Sequence, residues 1–137
     1  MTITIKFIMW LIFAFFAGLI EAYLFHYWVK VEKVNKNLHP YFFVQRLLVG
    51  IAILLPFDIF DWIELLKFLG LLLAFALTFS FIHNGTYFIY RNKLNPNIYK
   101  LKFKDHADGD AVMDFHFESR LMQFIIGVLI ITYIITL

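Results

Sequence analysis

The sequence contains no cysteine, which excludes disulfides, thiolate metal ligands and a cysteine nucleophile at once. It is also short of charge. Lys, Arg, Asp and Glu make up 16% of the 137 residues, where a soluble domain carries about 25%. So few charged groups could not cover a water-soluble globule. The 12 basic and 10 acidic residues leave a net charge of +2 and fall in short segments between apolar runs. They form no basic face, so no nucleic-acid partner is expected. Internal repeats, low-complexity tracts, a Gly-rich phosphate loop and a Ser/His/Asp constellation are likewise missing. There are only three prolines, and each falls at a break between apolar runs.

What remains is apolar. Hydrophobic residues make up 62% of the chain, aromatic ones 20%, and 18 residues are Phe. A membrane-crossing helix needs roughly 20 mostly apolar residues. The expected fold class is therefore an all-α integral membrane protein, with four transmembrane helices in one compact bundle over residues 1–137. The helices are expected at about 7–29, 41–57, 62–90 and 119–137. Lys6 and the apolar run after it resemble the start of a signal peptide. Glu21 interrupts the run and no small-x-small cleavage site follows, so the segment is expected to stay as a helix.

Trp10 and Trp28, 18 residues or about 27 Å apart along a helix, suit the two interfacial belts of the first span. Pro40 suits the first turn of the second helix, and Pro56 weakens its last turn. Asp61 followed by Glu64 reads as a capping box for the third helix. The polar stretch 91–118 is the only long loop. Its alternating runs, 99–104 and 114–118, flank a Gly-containing turn and predict a short β-hairpin on the membrane surface, with an interfacial helix from Pro96 as the rival.

Lysines and arginines set the orientation. The first loop holds Lys30, Lys33 and Lys36, and the third holds Arg91, Lys93, Lys100, Lys102 and Lys104. The second connection is acidic, with Asp58, Asp61 and Glu64. Both termini are expected on the non-cytoplasmic side, in a plasma or inner membrane.

Ionisable groups at membrane depth are costly and need a reason. Ala14, Gly18, Ala22 and His26 form a stripe of close-approach positions in the first helix, flanked by Glu21. Gln45 and Arg46 lie one turn or so inside the second. Ser80, His83, Asn84, Tyr87 and Arg91 share one face of the third, whose small residues Gly70, Ala74, Thr78 and Gly85 form another. Arg120, Gln123 and Gly127 share a face of the fourth. Measured along each helix, Glu21 lies about 12 Å, Arg46 about 9 Å and His83 about 10 Å inside the cytoplasmic end. The candidate intramembrane cluster is thus Glu21, His26, Gln45, Arg46, His83, Asn84, Tyr87 and Arg120. Arg91, Lys100, Lys102 and Lys104 are candidate contacts for anionic lipid head groups.

Three readings of the cluster follow. In the first, Glu21 and Arg46 form a buried ion pair that fixes helix register, in a non-catalytic subunit or assembly partner of a membrane complex, or in a self-associating protein. In the second, the cluster binds an ion, a proton or a lipid head group. In the third, His26, His83 and His116 ligate a metal in a membrane-embedded enzyme. The third is the weakest. No His or Glu pair has the i, i+3 or i+4 spacing of a bundle metal site, and His26 and Glu21 point about 140° apart. The Asp-rich stretch 105–114 departs from the EF-hand pattern, and Asn84-Gly85-Thr86 lies at the cytoplasmic interface, unsuited to glycosylation. No cofactor is indicated.

Overall fold

The computed structural model describes residues 2–31, 39–55, 61–99 and 117–137. Among them every regular element is a helix. In chain order these are α1 (Ile3–Leu24), continued by a π-helical segment (Phe25–Val31), then α2 (His39–Leu54), α3 (Trp62–Leu94) and α4 (Phe117–Thr136). Three helices are long and apolar enough to cross a membrane, Ile3–Trp28, Trp62–Leu94 and Phe117–Thr136. The apolar stretch of α2, Pro40–Leu54, is shorter.

Local signals explain the boundaries. α1 begins at Ile3 rather than near residue 7, because the Thr2 hydroxyl caps it by accepting from the Ile5 N–H. α2 ends at Leu54, earlier than the expected 57. Pro56 disfavours helical dihedrals at the residue before it. Asp61 caps α3 as expected, with Oδ1 accepting from Ile63 N at 2.7 Å and Glu64 N at 3.1 Å. The reciprocal half of the box is replaced: the Glu64 carboxylate accepts from Lys67 Nζ at 3.2 Å. At its other end α3 runs to Leu94, so Arg91 and Lys93 are helical rather than part of a loop. Pro96 starts no helix. The Asn95 side chain accepts from Asn97 N and Ile98 N, closing a single turn. Of the expected hairpin, Phe117 and Glu118 instead form the start of α4, and Tyr99 follows the turn after α3; the rest, with Lys100, Lys102, Lys104 and His116, lies outside the described residues.

α3 touches all three other helices and packs most extensively against α1 and α4. Its two small-residue contacts show how. Gly18 of α1 sits so close to α3 that a Cβ there would lie 2.5 Å from the His83 carbonyl oxygen. Gly127 of α4 approaches as closely, since a Cβ there would lie 2.6 Å from Thr78 Cγ2 and 3.0 Å from the Ala74 carbonyl oxygen. Approached at Gly18 and at Gly127, α3 lies between α1 and α4. Residue order in the contacts makes α1 and α3 parallel, and α2 and α4 antiparallel to them.

The core lies between α1 and α3. Trp10 stacks on Phe75 at 4.8 Å and 10°, and its Nε1–H donates to the Phe75 carbonyl at 2.8 Å. Trp10 is therefore a buried core residue and not the interfacial anchor its position suggested. Ala14, Leu54, Leu71, Ala74 and Ile131 complete the packed centre. The outer faces are apolar as well, with Phe16, Ile20, Leu73 and Leu129 more than half exposed.

Candidate functional site

The polar residues gather toward the end of the bundle formed by the C-termini of α1 and α3 and the N-terminus of α2. Glu21 follows the small-residue stripe of α1, where the Gly18 contact brings α3 close. Arg46 comes from the second turn of α2 and His83 from the buried face of α3. Arg46 Nη2 donates to both Glu21 oxygens, at 2.6 Å and 2.7 Å. His83 Nε2 lies 3.1 Å from Glu21 Oε2 and 3.3 Å from Arg46 Nη2. On its other side His83 Nδ1 is 2.9 Å from Asn84 Oδ1, and Asn84 Nδ2 donates to Ser80 Oγ at 3.4 Å.

The imidazole is held by its faces too. His83 stacks on Phe79 at 4.9 Å and on Tyr87 at 6.1 Å, in a ladder of residues four apart along α3. The Arg46 guanidinium covers the same Phe79 ring at 4.7 Å. With Nδ1–H donated to Asn84, a neutral imidazole presents the Nε2 lone pair to Arg46. A protonated one donates Nε2–H to Glu21. Each protonation state finds a partner.

A second cluster adjoins the first. The Arg91 guanidinium lies over Phe25 and Tyr99, both at 4.4 Å, and over Tyr87 at 5.0 Å, with Nη1 donating to Tyr87 Oη at 3.2 Å. Tyr99 is positioned twice. Asn92 Nδ2 donates to its carbonyl at 2.7 Å, and its hydroxyl pairs with His26 Nδ1 at 3.0 Å. Burial pushes the Tyr99 phenol above its ordinary pKa, and the nearby Arg91 charge opposes that shift. The π-helical segment carries Phe25 and His26 into this cluster.

The expected residues thus divide. Glu21, Arg46, His83 and Asn84 meet directly. Tyr87 joins the two clusters, through His83 on one side and Arg91 on the other. His26 belongs with Tyr99 rather than with Glu21. Gln45 is exposed, unlike its neighbour Arg46. Arg120 is buried near the start of α4, the helix that packs on a second flank of α3. Arg91, expected at a lipid-facing loop, is buried at 7% exposure. No group of three His, Cys, Asp or Glu residues suited to a metal occurs among the described residues.

Sequence reasoning missed Phe25, Tyr99 and Lys6. The Lys6 ammonium is buried and donates to the Leu54 carbonyl at the end of α2. A cation at a helix C-terminus is a known signal, but here it comes from another helix, so no local spacing reveals it. No protein-family model, no curated protein and no solved structure matches the chain.

Proposed function

We propose that this chain is a small polytopic membrane protein, a non-catalytic subunit or assembly partner of a membrane complex, in which the polar network fixes helix register. The observation that carries this reading is the closure of Glu21 on Arg46 and His83. The only carboxylate in the cluster among the described residues is occupied by two partners from other helices, so its charge is met within the chain, although the Arg46 Nε is left without an acceptor. Such networks set which helices pair, and at what register.

Membrane insertion of all four helices is part of the proposal. Exposed apolar side chains on every helix support it, since a soluble monomer seldom shows such contiguous patches. Trp62 and Tyr133 are exposed at one end of the bundle and Tyr41 and Tyr27 at the other, as interfacial aromatic belts require. Hydroxyls at Thr78, Thr86 and Thr132 bond back to carbonyls four residues earlier, which suits an apolar surround. The lysine asymmetry supports the expectation that both termini lie on the non-cytoplasmic side.

A second reading, proton handling, is favoured by one feature: His83 has a hydrogen-bond partner in both protonation states. Two measurements on the purified protein separate the readings. Mass spectrometry after extraction in mild detergent should find a stoichiometric membrane-protein partner or a defined homo-oligomer. Vesicles reconstituted with the protein and a pH-sensitive dye should hold a proton gradient as protein-free vesicles do. A monomer whose proton flux disappears in His83→Asn would replace the first reading with the second.

A further inference from the structure

Arg91 is the one residue of the second cluster whose bonding is incomplete. Its guanidinium is planar, with donors along three edges. It lies over the faces of the Phe25, Tyr87 and Tyr99 rings, with Cζ 4.4–5.0 Å from each ring centre. Nη1 is held by the Tyr87 hydroxyl. The side-on edge, Nε–H with the adjacent Nη2–H, is what forms the two-bond fork to a carboxylate or phosphate. Among the described residues Nε has no acceptor although it is buried, and no carboxylate forms a salt bridge with Arg91. Glu21, the nearby acid, is already taken by Arg46 and His83.

An arginine that is only 7% exposed and has no counter-charge among the described residues is costly, and arginine does not relieve the cost by losing its proton. Cation–π contact with three rings offsets part of that cost but supplies no acceptor in the plane of the guanidinium. The missing piece is an oxyanion. Arg91 lies in the last turn of α3, together with the exposed Lys93, at the end of a 33-residue helix. At about 50 Å that helix is longer than a bilayer core of about 30 Å, so this end reaches the head-group level.

We propose that Arg91, enclosed by the Phe25, Tyr87 and Tyr99 rings, is a binding site for a phosphate oxyanion that takes its side-on Nε/Nη2 fork. The phosphate comes from an anionic phospholipid head group or from free inorganic phosphate. The site does not depend on whether the protein is a complex subunit.

Native mass spectrometry of the purified, delipidated protein tests this. It is released from detergent micelles containing phosphatidylcholine and phosphatidylglycerol in equal amounts, or phosphatidylcholine with inorganic phosphate. Wild type should retain one phosphatidylglycerol or one phosphate adduct, about tenfold above Arg91→Gln; which micelle yields it identifies the source. Arg91→Lys keeps the charge and the ring contact but lacks the fork, and it should lose most of the adduct while folding normally. Lys93→Gln, in the same turn, should keep it. Equal adducts in wild type and Arg91→Lys would overturn the proposal, as would equal losses in Lys93→Gln and Arg91→Lys, which would indicate surface charge alone.

Discussion

Arg46 Nη2 stands 2.6 Å from Glu21 Oε1 and 3.3 Å from His83 Nε2, so a single guanidinium nitrogen ties α2 to both α1 and α3. α2 has few other attachments. Gly50 rests on the Trp10 ring, Ile53 and Leu54 enter the core, and Lys6 donates to the Leu54 carbonyl. Removing one partner of the ion pair therefore strands a charge and loosens the shortest helix together. Glu21→Gln or Arg46→Gln alone should cost about 3 kcal/mol, the lower end for a broken buried pair because the Arg46 side chain is 29% exposed. The double substitution should recover part of that loss. Thermal unfolding in detergent measures all three, and strictly additive effects would show that the residues act separately.

The glycines should respond with opposite signs. A Cβ at Gly18 meets backbone, the His83 carbonyl oxygen at 2.5 Å and Tyr87 N at 3.2 Å, which cannot yield without separating α1 from α3. Gly18→Ala should destabilise by about 1–3 kcal/mol, as overpacking does. At Gly50 the nearest atoms are Trp10 ring carbons at 3.4 Å and 3.6 Å, an ordinary contact. Gly50→Ala should stabilise by about 0.5–1 kcal/mol through helix propensity. The same melts decide; a gain from Gly18→Ala would mean that the two helices are not so closely apposed.

Those close approaches were legible in the sequence, because small residues four apart leave room for a neighbouring backbone. The ion pair was legible for a different reason. Glu21 and Arg46 each interrupt an apolar run at matched depth, and burial of either alone is too costly. Trp10 was misread because the sequence shows only that an indole lies near a helix end, not which way it faces. The α1–α3 contact decides that. The aromatic enclosure of Arg91 was hidden for a related reason. Tyr99 lies beyond the end of α3, and Phe25 sits in a π-helical segment, so neither obeys the α-helical spacing used to assign faces.

Trp10 offers a direct check on its buried position. Trp10→Phe keeps an aromatic ring against Phe75 and loses the 2.8 Å donation to the Phe75 carbonyl, so it should cost about 1 kcal/mol. Trp10→Ala also empties the space between α1 and α3 and should cost about 3–5 kcal/mol. A lipid-facing indole would tolerate both. In the double variant Trp28→Phe, Trp62→Phe, Trp10 fluorescence should resist quenchers dissolved in the bilayer or in water; ready quenching would place it on the surface.

The number of crossings turns on α2, whose 16 residues span only about 24 Å. It runs antiparallel to α1 and is fixed to it at both ends, by Arg46 on Glu21 and by Lys6 on the Leu54 carbonyl. Those attachments on α1 lie 15 residues, or about 22 Å, apart along the axis, so α2 passes through nearly the same depth as α1. It should therefore be the fourth span despite its length, with snorkelling flanks or local thinning of the bilayer making up the difference. Single cysteines at Lys33, Asp61 and Lys102 test this in a chain with no native cysteine to confuse the result. In intact cells, Asp61→Cys should react with an impermeant thiol reagent, while Lys33→Cys and Lys102→Cys should react only after the membrane is opened. The reverse pattern would invert the orientation. Equal labelling at Lys33→Cys and Asp61→Cys would mean that α2 enters and leaves on one side, giving three spans with the termini on opposite faces.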